Sequence, residues 1–201
     1  MSELTDNEPG GATALDPDEL EGLKLKHITM RSELNEVEQA NITSGLEWLS
    51  RKRTKDILNE VFVRALHKKM FSEVWAWAGT FRKTEKNIGI DPLHMATQLR
   101  ILLDDTRFWI EHTTFQPIEI AARFHHRLVQ IHLFPNGNGR HARIMADQLL
   151  IKMMNAEPID WSAGHDLLHF NDRRKEYIES LRKADARDYE SLLKFVGYKV
   201  F

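Results

Sequence analysis

An all-α fold follows from two features of this sequence. From Ile28 onward, apolar residues recur at three- and four-residue spacing, the period of a helix with one buried face. Only residues 75–92 break that habit, with Gly79, Thr80, Thr84, Asn87, Gly89 and Pro92 among short β-friendly pieces. The expected architecture is a helical bundle with one small β-hairpin. Neither repeats nor low-complexity core segments interrupt it.

The elements follow in order. Residues 1–21 carry seven acids and no base, together with Pro9, Gly10, Gly11 and Pro17, and read as a flexible acidic leader. A domain is expected over 22–201. Leu34, Val37, Ile42, Leu46 and Leu49 roughly share one face of a first long helix. Ile57, Leu58, Val61, Phe62, Ala65, Leu66 and Met70 do so in a second, and a short link makes the two a hairpin. Helices resume over 92–112 and again from Pro117, a residue suited to a first helical position. There Ile120, Phe124, Leu128 and Ile131 form one stripe, which leaves His132 at the C-terminal end of a largely buried helix. Residues 139–154 form the next amphipathic helix, with Ile144, Met145, Gln148, Leu149 and Met153, and 166–200 supply one or two closing helices.

Composition narrows the function classes. A length of 201 residues suits one domain with an added arm. The formal charge of -2 gives no drive toward nucleic acid or anionic membrane, although 51–55 and 67–69 are locally basic. With no cysteine there is no disulfide, thiolate metal site or cysteine nucleophile. The N-terminus is not a signal peptide, and no apolar run is long enough to span a bilayer; a cytoplasmic protein is expected.

The chemistry concentrates in residues 132–143, "HLFPNGNGRHAR". The stretch is either a helix–helix corner or a pocket for an anion. Asn and Gly tolerate positive φ and make turns, and a turn needs nothing more. The first N–H groups of the following helix have no carbonyl partner, and its dipole is positive there. Gly137 and Gly139 allow close approach of a ligand, and Asn138 is placed to cap the helix and orient the loop. Arg140 and Arg143, one turn apart, oppose that dipole unless they hold an anion. A neutral His132 beside a bound phosphate can take a proton from an attacking hydroxyl. His125 and His126 point to different faces with no carboxylate at ligand spacing, which disfavours a histidine metal site.

This segment resembles the signature of the Fic (Fic/Doc) family, His-x-Phe-x-Asp/Glu-Gly-Asn-Gly-Arg-x-x-Arg. His132, Phe134, Gly137, Asn138, Gly139, Arg140 and Arg143 all match, and "WAWAGTFR" followed by "NIG" resembles the family's flap region. The resemblance implies an all-α Fic fold with a flap hairpin and transfer of AMP from ATP to a target protein's Tyr, Thr or Ser hydroxyl. It assigns His132 as the base, Phe134 as the loop's anchor, and Gly137, Asn138 and Gly139 as the anion hole. Arg140 and Arg143 would hold the β- and γ-phosphates, and Ile88 would clamp the target. Asn136 stands where the family has an acid that holds Mg²⁺; its neutral carbonyl is a weaker ligand for a hard cation. Leu133, where proline is common, is a milder departure. "SELNEVEQANI" with the motif also resembles the subgroup known as mobile mystery protein B, which implies a small helix-turn-helix partner protein.

Many family members carry an inhibitory helix, Ser/Thr-x-x-x-Glu-Gly/Asn, whose glutamate pairs with the second motif arginine. An arm over 28–40 offers Thr29 with Glu33, and Ser32 with Glu36 at the same spacing; Thr43 with Glu47 repeats it further along. Glu33 is the first choice, facing Arg143. Three classes stay open: an autoinhibited AMP transferase using ATP, a Fic-fold enzyme using another nucleotide or phosphate donor, and a non-catalytic nucleotide-binding module.

Overall fold

The computed structural model describes residues 16–164, 167 and 171–198. The main helices are α1 (Pro17–Leu20), α2 (Arg31–Arg51), α3 (Glu60–Phe71), α4 (Met95–Glu111), α5 (Pro117–Ile131), α6 (Asn138–Met153), α7 (Asp172–Asp185) and α8 (Glu190–Phe195), with a 3₁₀ turn at Pro92–His94 before α4. Helix α2 pairs with α3, α5 pairs with both α4 and α6, and α7 packs with α8 against α5. Among the described residues, no helix is long and apolar enough to cross a membrane.

The core gathers around α5 and α6. Ile120, Phe124, Leu128 and Ile131 are all buried, as their period demands, and Ala142, Met145, Ala146 and Leu149 meet them from α6. Small Ala142 and Ala146 let the two helices approach closely, so the loop between them is held by well-packed walls.

The α2–α3 hairpin forms, but its buried face is rotated from the expected one. Leu46 and Val61 are exposed, while Glu38, Asn41 and Gly45 are buried. A Cβ on Gly45 would lie 3.1 Å from backbone atoms of Lys69, so α2 and α3 touch backbone to backbone there. Asn41 explains its own burial: its Nδ2 donates to Lys69 O at 3.1 Å, and its Oδ1 accepts the Glu73 N–H at 2.9 Å, closing the end of α3.

Residues 16–21, expected within the flexible leader, are ordered; the rest of that leader lies outside the described residues. Lys24 N donates to Val74 O and Ala76 N to Gly22 O, around an antiparallel bridge between Leu23 and Trp75. The indole N–H of Trp77 donates to Glu19 O at 2.9 Å. This N-terminal strap reaches the segment where a β-hairpin was expected. No strand forms there among the described residues. The carbonyls of Thr84 and Ile90 accept instead from the guanidinium of Arg82, and Gly89 takes φ +105, so the segment closes as an irregular loop without a cross-strand ladder. Residues 82–91 form this flap.

Candidate active site

His132 ends α5 in the left-handed region, φ 57 and ψ 62. That conformation turns the chain sharply and costs about 1–2 kcal/mol for a residue with a Cβ. Packing downstream enforces it. The Phe134 ring is fully buried and stacks on His67 with centroids 3.7 Å apart. The Phe134 N–H donates to Asn138 Oδ1 at 2.9 Å, and Asn138 Nδ2 donates back to Phe134 O at 2.7 Å. Asn138 therefore orients the loop, as expected. The cap role passes to Gly137, which is the N-cap of α6 at φ 79. A side chain at Gly137 is excluded twice, by that φ and by the Phe71 ring, 2.5 Å from where its Cβ would lie.

His67 is the buried pin beneath this loop. Gly79 N–H donates to its Nδ1 at 3.0 Å, so its Nε2 carries the proton and donates to Asn136 O, also at 3.0 Å. Burial holds the His67 pKa well below the ordinary value, so the ring stays neutral and that donor pattern is kept.

Helix α6 starts at Asn138, six residues after His132, with no side-chain cap hydrogen bond, and carries Arg140 and Arg143 in its first turns. The Arg140 guanidinium lies over Phe71, 4.9 Å from the ring centroid, and that of Arg143 lies 5.5 Å from the centroid of Tyr177. Gly139 sits between: a Cβ there would have only Tyr177 Oη at 3.7 Å and Arg143 Nη1 at 3.8 Å within reach. A helix start with bare backbone donors and two flanking guanidiniums is a phosphate cradle in form.

His132 is 3 % exposed. Burial and then the cation Arg82 push its pKa down to about 4, partly offset by a backbone hydrogen bond with Val129, with Lys86 the smallest contributor. The imidazole is neutral at pH 7 and has a lone pair for a proton. An anion in the cradle shifts that pKa back upward, toward the range of an effective base.

Two buried charges complete the site, and neither was foreseen. Glu38, on the inner face of α2, places Oε2 2.7 Å from Arg140 Nη1, and its Oε1 accepts the Trp75 indole N–H at 2.6 Å. Arg82 Nε donates to His132 O at 2.6 Å.

A family description, Fic/DOC family, matches residues 57–150. Over that span the chain is similar to the Fic/DOC family. It is similar to "Protein adenylyltransferase fic-1" of Caenorhabditis elegans, 32% identical over 127 residues, which are 60% of this chain and 22% of that protein. The chain thus spans about a quarter or less of the curated relatives just described and of the Aedes aegypti "Protein adenylyltransferase Fic", where the share is 23%. Its fold is that of the N-terminal Fic domain of Bep8 from Bartonella sp. 1-1C, with TM-score 0.68, 12% identity and 88% of each chain covered. BepC from Bartonella tribocorum, a structure with bound AMPPNP, superposes with TM-score 0.64 and 15% identity, covering 86% of this chain and 88% of that one.

Glu33 does not reach Arg143. It is exposed, as is Glu36. Glu33 lies five residues before Glu38, about 140° around the helix at 100° per residue, so the two glutamates face opposite ways. The acid at the cradle is Glu38, and its partner is the first motif arginine. A periodicity reading that admitted polar residues to the stripe Leu34, Glu38, Asn41, Ile42, Gly45 would have found it. Ile88 is 38% exposed in the flap, open to a partner.

Asn136 fits a metal poorly. Its Oδ1 already accepts the Gly137 N–H at 2.6 Å, and it brings no charge. Among the described residues, no three His, Cys, Asp or Glu side chains gather at a common point. His125 and His126 are engaged elsewhere, the first with the Tyr177 hydroxyl, the second with Asp185 and Tyr189.

Proposed function

We propose that this chain is a protein adenylyltransferase that moves AMP from ATP to a hydroxyl of a target protein, restrained by its own Glu38. The carrying observation is that one short loop ends in a buried neutral His132 and opens into the N-terminus of α6. The similarity to the C. elegans and Aedes aegypti protein adenylyltransferases, and the AMPPNP held by BepC, support the same reading.

In this mechanism the target hydroxyl stands against His132. Its oxygen attacks the α-phosphorus as its proton passes to the imidazole. The bond to the β-phosphate oxygen breaks and pyrophosphate leaves, taking charge that Arg140, Arg143 and the α6 N–H groups stabilise. Residues near Ile88 hold the target segment. Arg140 cannot serve while Glu38 holds it, so the resting state is slow. No step is routed through a metal, given the neutral, engaged Asn136.

The test is incubation with labelled ATP, GTP, UDP-sugars and CDP-choline, read by intact mass of the protein itself. Addition of AMP supports the reading. Addition of another group assigns a different donor. ATP binding without any transfer, in wild type and in the Glu38→Gly variant, leaves a nucleotide-binding module. Target identity and a helix-turn-helix partner are separate questions, answered by capture from the native host.

A further inference from the structure

We infer that Arg82 is a positioning residue that holds the catalytic base and the flap in one frame. The inference rests on His132 acting as the base. Arg82 is only 3% exposed. Its Nε donates to His132 O at 2.6 Å, its Nη1 to Thr84 O at 2.7 Å, its Nη2 to Ile90 O, and its backbone N–H to Leu133 O at 2.9 Å. One planar group thus binds the carbonyl of the base residue and both ends of the flap.

The geometry has consequences. The His132 peptide is fixed on its carbonyl side by a charged donor, so its left-handed turn, and with it the ring direction, has little freedom. Thr84 and Ile90 are clasped by the same guanidinium, which closes residues 84–90 into a loop with Lys86, Asn87 and Ile88 at its tip. Gly89 lies directly on the base: a Cβ there would be 2.7 Å from His132 Cβ and 2.7 Å from Arg82 Nη2. A target segment lying on the flap is therefore referenced to the base through a single residue. Lysine cannot replace it, because a point ammonium does not fork to three separated carbonyls. The cradle residues make no bond to Arg82, so nucleotide binding is separable from this role.

Arg82→Lys and Gly89→Ala test this from opposite sides of the contact. Three readouts apply to each: thermal melting, amide hydrogen exchange at 84–90, and NMR titration of the His132 ring, whose pKa is lowered by burial and then by Arg82. AMPPNP affinity is the control. Both variants should fold, exchange faster at 84–90 by about tenfold or more, and raise the His132 midpoint from about 4 toward the ordinary histidine range. AMPPNP affinity should stay within about threefold, while transfer falls with KM for the target rising. If Arg82→Lys does not fold, Gly89→Ala carries the test, since Gly89 lies in the flap and outside the core. Folded variants with wild-type flap exchange and an unmoved His132 midpoint overturn the inference. Retained transfer in His132→Ala would overturn the base assignment instead, and leave the exchange and titration results to judge the coupling of flap and loop.

Discussion

Glu38 Oε2 and Arg140 Nη1 stand 2.7 Å apart, an ion pair that ties the middle of α2 to the first turn of α6. Glu38 is 3% exposed, and its other oxygen accepts from Trp75. The carboxylate occupies the first motif arginine, which the proposed function assigns to the polyphosphate.

Releasing that arginine should strengthen ATP binding. A charge-assisted hydrogen bond contributes about 1.5–3 kcal/mol, equivalent to about ten- to a hundredfold in affinity. Glu38→Gly should show that gain by calorimetry with AMPPNP, and Glu33→Gly should match wild type. Glu38→Gln separates two roles: it can still accept from Trp75 but no longer neutralises Arg140. Its melting temperature should exceed that of Glu38→Gly. Equal affinity in all four proteins would make the pair purely structural.

Acid should destabilise the fold through its buried histidines. His132 and His141 have pKa values pushed down to about 4 from 6.5, and burial holds those of His67 and His125 well below 6.5. Between pH 6.5 and 4 the unfolded chain binds protons that the folded chain refuses, so stability falls as pH falls through this window. Asp147 opposes this. Burial raises its pKa to about 6, so it gains stability as pH falls below that value and offsets one histidine. The net change between pH 7 and pH 5 is a loss of stability. Urea midpoints measured across that range check it; a flat profile contradicts neutral burial of these rings.

The strap should hold the flap from outside. Lys86, 3% exposed at its side chain, pairs with Asp16 at 2.9 Å and with Glu19, while Thr84 Oγ1 donates to Asp16 Oδ2 at 2.8 Å. Lys86→Met leaves the largely buried Glu19 and the more exposed Asp16 without their cation, a local cost of about 1 kcal/mol once solvent screening at Asp16 is allowed for. Amide exchange should rise in both 16–22 and 82–90, while the α5–α6 core is unchanged. Exchange confined to one segment would mean that they are not coupled.

Asn136→Asp should introduce a hard oxygen ligand beside the cradle. We expect a Mg²⁺ dependence of nucleotide binding steeper than in wild type, followed by calorimetry across a magnesium titration. Superimposable titrations would place residue 136 away from any cation.

The loop between α5 and α6 was legible because its chemistry is local. His132 through Arg143 act through turn geometry and a helix start, which lie within twelve consecutive residues. The α5 stripe was legible for a similar reason, since Ile120, Phe124, Leu128 and Ile131 carry an unbroken period. Glu38 was hidden because a charged residue in a helix reads as solvent-facing unless its partner is known, and Arg140 lies about a hundred residues on. Leu46 misled for the converse reason: Gly45 took the inner position that close helix contact requires. Arg82 and Lys86 lie in a segment without periodicity, and their partners are carbonyls and a strap from elsewhere in the chain. The apparent hairpin had turn residues and β-friendly pieces, but a buried guanidinium took the carbonyls that a ladder would have used.

The most direct test of the account is single-turnover labelling with ATP in Glu38→Gly, with and without His132→Ala. The account predicts AMP on the protein in the single variant, and a rate lower by about 10² to 10⁴ in the double variant, with AMPPNP affinity unchanged between them. Labelling of the double variant within a few-fold of the single one would contradict His132 as the base on which the proposed transfer depends.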